Sequence, residues 1–414
     1  MAGKESGFNL ETCARPNILS LEPYRCARDD FKDDGTNILL DANENAYGSS
    51  VLPPQSLVSS QIQEGSLVKF ARLHRYPDPY QHELKQCFCE LRNTHIHTKK
   101  KITPENVFLG VGSDEAIDVL IRCFCSPGND KILICPPTYG MYSVCAQVND
   151  IGLVKVPLLP SAEFSIDVQS IISVLSSPDS AQIKIIFICS PGNPTGSLIK
   201  KVDILRILEH PTWNGIVVID EAYIDFAPEG YSLAEFVVEW PNLVVMQTLS
   251  KAFGLAGIRL GVAFTSRPIA TLLNNLKAPY NISRLTSEIA LKALNPAGLS
   301  LMRSNKQKLD SQKERLLEEL PRLQGIGMFR GGKSSNFLLV EILDSKGKVN
   351  NATALNVYER LAKETLVVRF RGKEHGCYGC LRITIGTEAE VTALLEKLKD
   401  VIIQVHFEEI QSSK

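Results

Sequence analysis

Six side chains in the middle third of the sequence have the types that carbonyl chemistry requires: Asn193, Asp220, Tyr223, Ser250, Lys251 and Arg259. Lys251 sits in "LSKAFGLAGIRLG", Leu249 to Gly261, where small residues and glycines permit close approach of another molecule. A lysine amine attacks an aldehyde once it is deprotonated, and its unperturbed pKa is about 10.4. Burial and a neighbouring cation such as Arg259 would lower that value. Asp220 could keep a ring nitrogen protonated, while Asn193 and Tyr223 could hydrogen-bond a phenolic oxygen. Ser250 and Arg259 could take a phosphate, the arginine bidentately. Upstream, "GVGSDEAIDVL" places glycines before a helix start with Ser113 as the expected N-cap, which suits an anion.

These residues matter jointly because of the elements that carry them. From about 105 to 265 short apolar runs alternate with helical spacing: "DKILICPP", "IKIIFICSP", "GIVVID" and "NLVVMQT" against "AIDVLIRCFC" and "KKVDILRILEH". That alternation predicts a mainly parallel sheet with helices on both faces. Ligands of such sheets bind outside the carboxyl ends of the strands. "IFICSPGNPTG" ends at Asn193, "IVVIDEAYIDF" at Asp220 and Tyr223, and "LVVMQTLSKAFG" at Ser250 and Lys251. Three strand ends thus converge on one crevice with an amine, an acid and a phosphate cradle, the set that pyridoxal phosphate needs. Beyond residue 285 long polar-faced helices and the strands "SSNFLLVEIL", "LVVRF" and "CLRITIG" predict a smaller α+β lobe. The expected division is an arm at 1–40, a large domain at 41–285 and a small domain at 286–414, with the helix near 300–320 between lobes.

Each residue alone has a plainer reading. Asp220 could cap a helix, "SPGNPTG" could be any turn, and Arg259 could pair with a surface acid. "GMFRGGKS", Gly327 to Ser334, matches a phosphate-loop pattern, but the apolar strand "SNFLLVEIL" follows it instead of the required helix. Cys377 and Cys380 form a lone CxxC, read as a Gly-rich turn before a strand, and no metal site is expected. The other thiols read as reduced. With a net charge of −1 the chain carries no electrostatic signature of nucleic-acid binding. No run approaches the about 20 apolar residues of a membrane span, and "MAGKESGFNL" has no apolar leader core. The expectation is a cytoplasmic protein.

"SPGNPTG", "DEAY" and "SKAFGLAGIRLG" resemble the signatures of fold type I pyridoxal-phosphate-dependent aminotransferases of the class-II kind. "LEPYRCAR", "LDANENAYG", "HRYPDPY", "GVGSDEAID", "PPTYGMY" and "GCLRITIG" extend the resemblance over about 18–395, toward the histidinol-phosphate aminotransferase branch. That resemblance implies further roles. Tyr139 would stack on the cofactor ring, and the backbone at Gly112, Ser113 and Asp114 would take its phosphate. Tyr76 would reach the phosphate in a neighbouring subunit, making the enzyme a homodimer. Arg382 would bind the substrate's anionic group, with Arg369 and Tyr24 on a substrate phosphate and Asn43 nearby. Lys251, Asp220 and Tyr223 are the implied catalytic residues.

The activity so implied is transamination between L-histidinol phosphate and 2-oxoglutarate, giving imidazole acetol phosphate and L-glutamate, a step of histidine biosynthesis. Lys251 would form the Schiff base with the cofactor and then act as general base. An aromatic-amino-acid aminotransferase or a threonine-phosphate decarboxylase on the same fold is the alternative, and a non-catalytic regulator is the reading from another class.

Overall fold

The computed structural model describes residues 37–40, 43, 45–47, 77–160 and 163–412. In chain order the elements begin with β1 (Ile38–Leu39), α1 (His82–Arg92), β2 (Val107–Val111), α2 (Gly112–Phe124), β3 (Lys131–Ile134), α3 (Met141–Val148) and β4 (Gly152–Lys155). There follow α4 (Val168–Leu175), β5 (Ile183–Cys189), α5 (Lys201–Leu208), β6 (Ile216–Asp220), β7 (Leu243–Thr248) and β8 (Leu260–Thr265). Next come α6 (Arg267–Leu276), α7 (Arg284–Leu294), α8 (Pro296–Glu319), β9 (Ile326–Arg330) and β10 (Phe337–Ile342). The last are α9 (Asn351–Lys363), β11 (Leu366–Val367), β12 (Arg369–Phe370), β13 (Cys380–Thr384) and α10 (Glu388–Ser412).

Among the described residues the large sheet has seven strands in the order β2-β8-β7-β6-β5-β3-β4. Strands β4, β3, β5, β6 and β7 run parallel, and β8 is antiparallel to both β7 and β2. The fold is therefore α/β with a mainly parallel central sheet, as the alternating pattern implied. Strands β6, β7 and β8 are buried at every position, because helices cover both faces. Side-chain alternation sorts each strand between two cores. Ile216 and Val218 of β6, with Phe187 of β5 and Met246 of β7, join the cluster under α2 and α3. Val217, Ile219 and Val245 point into the larger cluster on the other face.

The later part is a four-stranded antiparallel sheet ordered β12-β13-β10-β9, and β1 pairs in parallel with β11 at Ile38↔Leu366. The Gly327–Ser334 stretch lies on β9 and the turn before β10, so the strand anticipated after it is present. Helix α8 begins at Pro296, well before the charged run that announces it in the sequence. Its N-terminus is set by Asn295, whose side chain accepts from the Gly298 N–H at 2.9 Å, with Pro296 at the first helical position. Ser113 is not a cap: α2 starts at Gly112, and Ser113 lies inside its first turn. Gly112 makes that start possible by adopting φ +74°, which a side chain disfavours.

Candidate active site

Asp220 is the last residue of β6, and strand parity decides where it points. Continuing the series of 216 and 218, it faces the core of α3 and meets Tyr142 there. The Tyr142 hydroxyl donates to Asp220 Oδ2 at 2.6 Å, and the Ala222 N–H donates to Oδ1 at 3.1 Å. Burial pushes the Asp220 carboxyl up to about 6, while the Tyr142 donor, the Ala222 N–H and the charge of Lys251 pull the other way. Tyr142 stacks on Phe187 with centroids 4.7 Å apart and meets Tyr139 edge-on at 5.7 Å.

Tyr139 carries the chain of contacts toward the anion cradle. Its hydroxyl donates to Asp114 Oδ1 at 3.0 Å, and Asp114 Oδ2 accepts from Arg259 Nη2 at 3.1 Å. Arg259, half exposed and at φ +51°, is the residue before β8. Its guanidinium lies over Gly112, where an added Cβ would come 2.5 Å from Nη2. The first turn of α2, with N–H groups that have no partner within the helix, adjoins the same arginine. Ser250, after β7, is held by Thr248: the two hydroxyls lie 2.9 Å apart, and the Ser250 N–H donates to Thr248 Oγ1 at 3.1 Å.

Lys251 follows Ser250, with Nζ 5.8 Å from the centroid of the Tyr223 ring. Tyr223 lies in the turn after β6. Its hydroxyl accepts from Asn43 Nδ2 at 2.9 Å, and its ring is edge-on to Phe337 at 5.2 Å. Burial drives its phenol up to about 12, against the pull of the Arg382 charge and the Asn43 bond. The group is a neutral phenol at neutral pH. Asn43, itself at φ +54°, is fixed by Thr384 Oγ1, which donates to its Oδ1 at 2.9 Å, and by Asn336, which donates to its carbonyl at 2.8 Å.

Arg382, buried on β13, donates through Nη1 to Asn193 Oδ1 at 2.6 Å and packs over Phe337 at 5.2 Å. Arg369 sits on β12 in register with Arg382. The loop bearing Asn193 also abuts the turn between β9 and β10. The Gly332 N–H donates to Thr195 O at 2.9 Å, and the Ser334 N–H to Gly196 O at 3.1 Å.

Two sets of contacts thus meet at the strand ends: residues 112, 114, 139, 220 and 259 form one through Tyr142, and 43, 193, 223, 251 and 382 form the other through Phe337, with the charge of Lys251 acting on Asp220 and Ser250 preceding Lys251 in the chain. Tyr24 and Tyr76 lie outside the described residues. Tyr142, Thr384 and Asn336 carry no assigned role in the sequence reading. The signal for Tyr142 is the parity of β6, combined with its place three residues after Tyr139. The set fits pyridoxal phosphate on its own chemistry: a buried carboxylate faced by donors, a neutral phenol near an amine, and an arginine guanidinium over the glycine that opens α2, next to the helix's first N–H groups.

A family model, Aminotransferase class I and II, matches residues 36–398. Histidinol-phosphate aminotransferase of Schizosaccharomyces pombe is 52% identical, with 95% of this chain and 98% of that protein covered. The protein of the same name from Saccharomyces cerevisiae is 46% identical, with 96% and 99% covered. Among solved structures, histidinol-phosphate aminotransferase from Sinorhizobium meliloti in complex with pyridoxal-5'-phosphate superposes with a TM-score of 0.77 at 21% identity, covering 97% of this chain and 99% of that one. Aspartate aminotransferase from Thermus thermophilus with maleate reaches 0.74 at 18% identity, covering 94% and 99%. At those identities the two structures speak for the fold.

Proposed function

This chain belongs to the class I and II aminotransferase family, and we propose that it is the pyridoxal-phosphate-dependent transaminase of L-histidinol phosphate and 2-oxoglutarate in histidine biosynthesis. The observation that carries the reading is the convergence of Lys251, Asp220 and Tyr223 at adjoining strand ends, in a chain about half identical to relatives of that name over nearly their full length.

Bound pyridoxal phosphate supplies an aldehyde that takes up the substrate amine and a pyridine ring that accepts the electron pair left when Cα loses its proton. The protein does the rest. Lys251 would be the amine that holds the aldehyde, and its Nζ would then carry the proton away from Cα. Asp220, with a donor already at each of Oδ1 and Oδ2, would keep the pyridine nitrogen protonated. Asn193 and Tyr223 would hydrogen-bond the ring oxygen, and Tyr139 would cover the ring. The backbone at Gly112, Ser113 and Asp114, with Ser250 and Arg259, receives the phosphate, a use of fixed dipoles that costs no reorganisation.

Two substrates must share one anion site, since the oxoacid ends in carboxylate and the amine in phosphate. A guanidinium fork serves both, so Arg382 and Arg369 are the specificity residues of the proposal, with Tyr24 and Asn43 beside them. The reading carries with it a cytoplasmic homodimer in which Tyr76 reaches the partner's cofactor phosphate, and the division into an arm, a large domain to residue 285 and a small domain after it. Among the described residues no helix is long and apolar enough to cross a membrane. A coupled transamination assay comparing histidinol phosphate with histidine, phenylalanine and threonine phosphate tests the assignment. Preference for an unphosphorylated amine would remove it, and size-exclusion chromatography tests the dimer.

A further inference from the structure

Tyr142 has no part in the chemistry above, yet the fold commits it fully. It is completely buried on α3, locked between the stacked ring of Phe187 and the edge of Tyr139, and its single polar atom donates to Asp220 Oδ2 at 2.6 Å. With the Ala222 N–H on the other oxygen, the protein gives Asp220 a donor at each oxygen. A carboxylate accepts a charge-assisted bond from each donor, whereas a protonated carboxyl keeps only weaker neutral bonds with the same partners. We propose that Tyr142 is a positioning residue for the transamination: its hydroxyl selects the ionised form of Asp220 and aims it at the pyridine nitrogen. The proposal rests on the cofactor assignment made above.

The surroundings make such a device necessary. Asp220 is buried, and that burial drives its carboxyl toward the neutral form. On the neighbouring strand Cys189 is its register partner, and burial pushes that thiol up, so it is uncharged and offers no compensation. Asp114 on α2 pushes the carboxyl further up, and Lys251 pulls it down. The Tyr142 phenol is itself held far above its ordinary range by burial and by the Asp220 charge, so it keeps the proton it can donate to the carboxylate.

The test uses the full chain stripped of cofactor and titrated with pyridoxal phosphate from pH 5 to 9, followed by the visible absorbance of the bound form. Binding by the wild-type protein tests the cofactor assignment itself, and its absence would remove that assignment whatever the variants do. Given binding, Tyr142→Phe binds about tenfold more weakly at pH 7, as expected for a lost bond to a charged group. The acid midpoint of its binding moves up by about one pH unit. Phe187→Leu, which loosens the ring but keeps the hydroxyl, lowers the melting temperature and leaves the midpoint in place. A Tyr142→Phe midpoint equal to that of the wild type overturns the proposal, as does an equal shift in Phe187→Leu. Should Tyr142→Phe not fold, 3-fluorotyrosine at position 142 takes its place: the more acidic donor moves the midpoint down, and an unmoved midpoint overturns the proposal.

Discussion

Arg382 Nη1 donates to Asn193 Oδ1 across 2.6 Å, and this bond ties the four-stranded sheet to the strand-end crevice of the seven-stranded one. The guanidinium that should seize the substrate anion is therefore braced by the residue that should hold the cofactor's ring oxygen. Arg382→Ala removes both the anion site and the brace. A lost charge-assisted bond of this kind is worth about 1.5–3 kcal/mol, so kcat/KM falls by tenfold to a hundredfold or more for the amine and the oxoacid alike. Arg369→Ala behaves differently. It raises the KM for histidinol phosphate far more than that for an unphosphorylated amine, and equal losses on both would remove Arg369 from the phosphate site.

In the proposed reaction Lys251 is the residue on which the chemistry depends. The wild-type protein with cofactor bound is yellow, and Lys251→Ala loses both that visible band and turnover. Absorbance spectra and the transamination assay, run on the same preparation, decide the matter: retention of either signal reassigns the lysine.

Glu221, next to the site carboxylate, is buried and accepts from the Leu233 N–H at 2.6 Å, from Ser232 Oγ at 2.7 Å and from Gln247 Nε2 at 2.7 Å. Burial pushes its carboxyl from 4.5 up to about 7 in spite of these donors. A folded-state value above the unfolded one means that the native chain binds the proton more tightly, so the contribution falls as pH rises from 4.5 to 7. The loss is on the order of 3 kcal/mol. Urea unfolding of the cofactor-free protein at several pH values should show this slope added to that of Asp220, whose carboxyl is raised from 3.8 to about 6, and Glu221→Gln should lose the Glu221 share and keep the Asp220 one. Parallel pH dependences in the two proteins would refute the assignment.

Gly331 adopts φ +72°, and a Cβ there would come 2.1 Å from the Thr195 carbonyl oxygen. Both the backbone conformation and the neighbouring main chain oppose a side chain. Gly331→Ala should cost about 2 kcal/mol or more and lower kcat by displacing the Asn193 loop. Gly347 has a similar φ of +74° with open space around it, so Gly347→Ala should cost about 1 kcal/mol and leave kcat alone. Calorimetry and kinetics on the pair separate strain from clash.

The alternation of short apolar runs with helical spacing was enough to announce an α/β sheet, because strand and helix periods are local properties of the chain. Asn193, Asp220 and Lys251 could be named from the same pattern, since each sits where an apolar run stops. The antiparallel setting of β8 was not legible, as an all-buried strand reads the same in either direction. Nor was the early start of α8, which hangs on a cap remote from the charged run. Tyr142 was overlooked for a related reason, although strand parity and its place three residues after Tyr139 pointed to it. Its hydroxyl has meaning through Asp220, 78 residues away, and α3 brings the two together by packing on one face of β5 and β6. Residue types and their spacing thus determined which groups are candidates for the chemistry. Partners, burial and the direction of each pKa were decided by the tertiary structure, because they depend on strand order and facing parity, which bring distant segments of the chain into contact.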